Sequence, residues 1–184
     1  MLPNLNSPAS KTQVLAVSVE EAALQCRISK DELDDDDTIA LLTNCILSSQ
    51  AYLEGKYSVY FGVGEFKAYY IYEGLPIKTL HFPISNVQKV NSVSSVNDAL
   101  DIPHIFYASP THAVLTLSQA KEEDVFVSYT AGYTTSDSVP QEVKQAVLML
   151  TAYYYDQRNP KTSNSVNIST FAVDALMLPY KKLL

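Results

Sequence analysis

Near both ends of the chain apolar residues recur at three- and four-residue spacing, whereas the middle is a series of short tyrosine-rich and β-branched runs. The first pattern is that of helices burying one face, the second that of strands. Val19, Ala22, Ala23 and Cys26 keep helical spacing, with Ile28 leading out, and they follow Ser18 in the sequence Ser18-Val19-Glu20-Glu21. A serine followed three residues later by glutamate can satisfy two orphan amides, so a first helix is predicted to start there. Asp34, Asp35, Asp36 and Asp37 then precede Thr38 and a second periodic set, Ile39, Leu42, Ile46 and Leu53. Carboxylates are favoured at the positive end of a helix dipole, so a second helix is predicted from this point to a stop at Gly55.

From residue 56 the runs YSVYF (57–61), AYYIY (68–72), IKTLHF (77–82), VQKV (87–90), VLTL (114–117) and VFVSY (125–129) read as strands, punctuated by Gly62, Gly64, Gly74, Pro76 and Pro83. Residues 92–110 are polar, mixed and poorly periodic and are predicted to form a long loop. A third helix is the clearest element of all. Ser138 and Gln141 offer a second capping box, Pro140 suits the first helical position, and Val143, Val147, Leu150 and Tyr154 line one face up to a stop at Asn159 and Pro160. After a polar loop at 161–167, Val173, Leu176, Met177 and Tyr180 keep the spacing of a last helix, which Pro179 should end.

These elements predict an α+β chain in which about four helices, from 14–55 and 134–180, form a small bundle and 56–133 is a β-rich insertion. Residues 1–13 are rich in Pro, Asn, Ser and Thr and read as a flexible leader; 181–184 are a short tail.

The 184 residues and 47% hydrophobic content suit a real core. A net charge of -7 lacks the basic stripe that nucleic-acid binding needs, so direct grip on DNA is disfavoured. The first 13 residues show neither a basic nor an apolar signal region, and no apolar run approaches the roughly 18 residues of a membrane span. The expectation is a chain made and kept in the cytoplasm, with no membrane contact. Cys26 and Cys45 lie within helical patterns and read as buried thiols.

Candidate chemistry fails on spacing. With Asp34 as the first position of a calcium loop, the bidentate glutamate falls on Cys45 and the turn glycine is missing, so the aspartates read as a solvated helix start. His81, His104 and His112 have no short paired spacing and no cysteine neighbours. Gly62 and Gly64 lack both the third glycine of a dinucleotide loop and a phosphate-binding lysine, and no nucleophile elbow occurs. No catalytic residue, metal or cofactor is predicted. The tyrosines lack the basic groove that base stacking requires. Tyr153, Tyr154 and Tyr155 point about 100° apart on a helix, so more than one side of it should be covered, which marks Tyr153 and Tyr155 as candidate contacts between subunits.

The order of parts resembles the head-tail connector proteins of tailed bacteriophages. The likeness is carried by SVEEA (18–22), the acidic run before the second helix, VSYTAGY (127–133), VPQEVKQA (139–146), YYYDQR (153–158) and VDALMLPY (173–180), so it spans nearly the whole chain. It implies a structural, non-catalytic virion protein of the neck: an adaptor that assembles as a ring, expected to be a dodecamer. Its partners would be copies of itself, the portal protein, and a stopper or tail-completion protein. DNA would pass through the channel without specific binding, kept off the wall by like charge. The apolar and basic residues Leu178, Pro179, Tyr180, Lys181, Lys182, Leu183 and Leu184 are the candidate portal-docking segment, ordering on binding. A tail-terminator or baseplate component is the alternative within the virion, and a small hydrolase the enzymatic one.

Overall fold

The computed structural model describes residues 4–6, 11–98, 100–157 and 170–181. The fold is α+β, as the periodicities predict. Its elements in chain order are β1 (Asn4–Asn6), α1 (Val19–Gln25), α2 (Lys30–Leu33), α3 (Asp36–Tyr57), β2 (Gly64–Tyr70), β3 (Ile77–His81), β4 (Val87–Ser95), β5 (His104–Ala108), β6 (Ala113–Lys121), β7 (Val125–Ala131), α4 (Gln141–Asp156) and α5 (Thr170–Met177). Two compact units result: a helical one from Val14–Tyr57 and Thr134–Lys181, and a β unit built around Ser58–Tyr133.

In the helical unit the α1 capping box forms as read, with Glu21 N–H donating to Ser18 Oγ (3.1 Å) and Ser18 N–H to Glu21 Oε2 (2.7 Å). A second box at Ser29 and Glu32 opens α2, a helix absent from the sequence reading although it carries the same signal. Asp35 then caps α3 by accepting from Thr38 N–H (3.2 Å) and Thr38 Oγ1 (3.0 Å). Gly55 does not stop α3. The helix continues to Tyr57 because Leu53 and Tyr57 still fall on its buried face, and Ser58, at φ 54, makes the left-handed turn that ends it. The run 57–61 is accordingly no strand; only Phe61 makes a bridge, to Tyr133.

The predicted box at Ser138 and Gln141 does not form either. Ser138 closes a 3-10 turn instead, its Oγ donating to the Thr135 carbonyl (2.7 Å), and Pro140 sits outside α4 as its cap residue. Along α3 the buried set Leu42, Cys45, Ile46, Ser49, Gln50, Leu53 and Tyr57 faces Val143, Ala146, Val147, Leu150 and Thr151 of α4. Three polar residues in this seam are satisfied. Ser49 Oγ lies 3.1 Å from Thr151 Oγ1, and Gln50 ties the chain before α1 to α3 by accepting from Ala16 N–H (3.1 Å) and donating to the Val14 carbonyl (2.8 Å).

The β unit holds two antiparallel sheets with strand orders β1-β2-β7-β4 and β3-β6-β5. Residues 92–110 are not a long loop: β4 runs to Ser95, and β5 pairs with β6 from His104↔Leu117 to Ala108↔Ala113. Asn4–Asn6 of the expected leader pairs with β2, which needs only backbone groups and no apolar side chain. Tyr129 lies at the centre of the core, 5.8 Å from the Phe66 ring and 4.8 Å from Phe82 between centroids. Leu80, Ile84, Val93, Leu115, Leu117, Val125 and Val127 complete it.

Candidate docking surface

The docking segment inferred from sequence begins where α5 ends. Val173 and Met177 of α5 are buried, and the 3-10 turn Leu178–Tyr180 that follows carries Tyr180 inward to 1% exposure, its hydroxyl donating to Glu142 Oε1 at 2.9 Å. Leu178 points the other way and is 66% exposed, with Pro179 and Lys181 exposed beside it. Lys182, Leu183 and Leu184 lie outside the described residues. The segment is thus divided: Tyr180 anchors it to its own fold, while Leu178, Pro179 and Lys181 are open to a partner.

Sequence reasoning missed the rest of this surface. Phe171 (79% exposed) and the exposed Ala175, four residues apart, share the outward face of α5, and the exposed Leu178 follows in the 3-10 turn. The signal was present in the spacing, but with Val173 and Met177 also apolar the helix is hydrophobic on two sides. A helix with two apolar sides has two surfaces to bury.

One polar cluster holds α5 in place. Asp174 accepts from Lys56 Nζ of α3 at 2.6 Å and from the Tyr57 hydroxyl, while Lys56 also donates to Tyr52 Oη at 3.1 Å. The Lys56 and Tyr57 hydrogen bonds hold the Asp174 carboxyl below its ordinary range, and the Asp174 bond raises Lys56. Burial, then the Asp174 contact, pushes Tyr57 up to about 12. A carboxylate with a lowered folded pKa stabilises above its unfolded value of 3.8, and that contribution is lost as pH falls through the lower folded value. Asp174→Ala should therefore lower stability at neutral pH by about 1 kcal/mol, chiefly by leaving the Tyr57 hydroxyl without its acceptor. The gap between the melts of the two forms should narrow as pH drops below 3.8, because protonation removes the charge that meets Lys56 while the neutral carboxyl still accepts from Tyr57, and a constant gap down to pH 2 would exclude this role for the cluster.

Tyr153, Tyr154 and Tyr155 are all half-buried, and the first two rings meet edge to face at 5.7 Å. None of the three is freely exposed.

The remaining chemistry is dispersed. Asp34, Asp36 and Asp37 are exposed, and no group of three metal-ligating side chains converges among the described residues. The fold does bring His81 and His112 together, ring centroids 5.4 Å apart, because β3 and β6 pair; nothing in their sequence separation shows this. His104 lies apart from them, its Nδ1 2.7 Å from the Ile102 carbonyl. A cleft of 230 Å³ on the β2–β7–β4 face is lined by Lys67, Tyr69, Ser92, Ser94, Phe126 and Ser128, with Lys67 its one charged group. Among the described residues that lining holds no acid–base pair. No helix of the described residues is long and apolar enough to cross a membrane.

Comparison with known proteins bears on the family and the fold. A family model described as head completion protein matches residues 70–180. No curated protein matches the chain. Among solved structures, a chain from the virion of a native gene transfer agent particle superposes with a TM-score of 0.70 at 18% identity, covering 98% of this chain and 96% of that one. A chain from the neck of an empty gene transfer agent particle, computed with C6 symmetry, gives 0.67 at 18% identity over the same shares. One from the neck of the native particle, computed with C12 symmetry, gives 0.58 at 18% identity over 100% and 97%. At these identities the likeness is one of fold, and it extends over essentially the full length.

Proposed function

The chain belongs to the head completion protein family, and from that membership we propose that it is a structural, non-catalytic subunit of the virion neck. Within the neck it acts as a ring-forming adaptor, joining the portal to a stopper or tail-completion protein and extending the channel through which DNA passes. The observation that carries this reading is the full-length fold likeness to chains of a virion and its neck. Those necks were computed with six- and twelve-fold symmetry, which suits a closed ring with a dodecamer as its full complement. The charge of -7 fits a channel wall that does not hold DNA, since it supplies no phosphate-neutralising surface.

The portal is engaged through the outward face of α5 and the segment after it: Phe171, Leu178, Pro179 and Lys181, continued by Lys182, Leu183 and Leu184. Tyr153 and Tyr155 contribute to contacts within the assembly through the parts of their rings left uncovered. Removing the gene should yield DNA-filled heads without tails, counted by electron microscopy of lysates, with infectivity restored by the gene in trans. Tailed, infectious particles lacking this chain would reject the adaptor role.

A further inference from the structure

The strand β5 pairs with β6 on one side and, among the described residues, with no strand on the other. Its pairing with β6 runs without a register shift, and Ser109 and His112 exchange two backbone hydrogen bonds (2.7 and 3.3 Å) just beyond its end. Antiparallel pairs alternate between bonded and non-bonded, so Tyr107 and Ile105 direct their amides to β6 while His104, Phe106 and Ala108 direct theirs to the free edge. On the strand's outer face Ile105 is 74% and Tyr107 66% exposed, and the loop leading into it adds Val96 (63%) and Leu100 (79%).

Folded proteins blunt such edges with lysine, proline or a bulge. The opposite edge of the same sheet does so: β3 carries Lys78 and shifts register between Ile77 and Thr79. Residues 104–108 carry no lysine, carboxylate or proline. The two aspartates of the preceding loop face their own fold, Asp98 lying 3.4 Å from Lys121 Nζ and Asp101 accepting from Val93 N–H at 2.7 Å.

We propose that β5, with the exposed Val96 and Leu100 before it, forms the contact between neighbouring copies of this chain, the β5 edge of one subunit lying against the next. The inference rests on the ring reading. Two features select a second copy as the occupant. A chain of charge -7 repels its own copies except where charge is absent, and residues 104–108 carry no charged side chain. A ring also needs each subunit to show neighbours two different faces, and a sheet with one open and one guarded edge is built asymmetrically in that way.

The ring is first counted in wild-type necks by cryo-electron microscopy; its absence would remove the ring reading and this inference with it. A photo-crosslinking benzoylphenylalanine placed at position 107 in assembled particles is then expected to give covalent dimers of this chain, identified by mass spectrometry. Adducts to another virion protein, or none, would overturn the proposal while leaving the ring intact. As a second measurement, the double variant Ile105→Asp, Tyr107→Asp should melt at the wild-type temperature, since both side chains are exposed, yet assemble rings at least tenfold less. Rings at the wild-type level would equally overturn it.

Discussion

Gly132→Ala is expected to destabilise the β unit strongly. Gly132 has φ +115, and a Cβ there would lie 1.9 Å from the Gly62 carbonyl oxygen and 2.7 Å from its carbon. Gly62, at φ +106, is itself pressed against Thr12, whose carbonyl oxygen would stand 1.6 Å from an added Cβ. Three backbone segments are therefore stacked at closest approach, and no rotamer change can relieve the overlap. The same junction is held by hydrogen bonds from Gly132 N–H to the Asn86 carbonyl (3.0 Å), from Gln88 Nε2 to the Gly132 carbonyl (2.6 Å) and from Tyr133 N–H to the Tyr60 carbonyl (3.1 Å).

The unfavourable backbone conformation alone costs about 1–3 kcal/mol, and displacement of the junction adds the loss of those bonds. The melting temperature should fall by about 10 °C or more. Gly74→Ala is the matched control: φ is +88, but nothing lies within 4 Å of the added methyl, so only the conformational cost remains. Equal melting temperatures for the two variants would show that close approach at Gly132 does not matter.

Tyr180→Ala should destabilise the helical unit by about 3–5 kcal/mol, the range for deleting a buried aromatic side chain. The ring is 1% exposed and its hydroxyl bonds Glu142, so its loss leaves both a cavity and an unpaired carboxylate contact. Any truncation that removes Tyr180 therefore disturbs stability and docking together. Ending the chain after Lys181 separates them: the melting temperature should stay at the wild-type value while portal binding, measured with purified portal, weakens at least tenfold. Unchanged binding by that truncated chain, and by Leu178→Asp, would rule out this surface as the portal contact; a large drop in its melting temperature would rule out the division of roles between Tyr180 and the residues after it.

How much was legible depended on the range of the interaction. The α1 cap at Ser18 and Glu21, and the buried positions Leu42, Ile46 and Leu53 of α3, Val143, Val147 and Leu150 of α4 and Val173 and Met177 of α5, could be read because each is set within one or two helical turns, whereas Ile39, read with the α3 set, lies exposed. The cap expected at Ser138 and Gln141 failed because Ser138 Oγ is already engaged with Thr135, accepting from its N–H (3.2 Å) and donating to its carbonyl (2.7 Å). The strand β5 was missed because an edge strand covered on one side shows only weak alternation, with Phe106 its one apolar residue turned toward the core. Leu178 and Tyr180, two residues apart, looked alike as apolar residues of a tail; only the 3-10 turn sends one inward and leaves the other in solvent.

What the amino-acid order alone determined was the periodicity of its segments, hence an α+β chain, and the want of any spacing that binds metals or cofactors. Which glycines cannot carry a side chain, which tyrosine anchors α5, that Asp174 meets Lys56 and Tyr57, and that β5 pairs with β6 on one side only were decided by the tertiary structure. Those facts concern residues far apart along the chain, and a pattern within one segment holds no information about which distant backbone or side chain will come to lie against it.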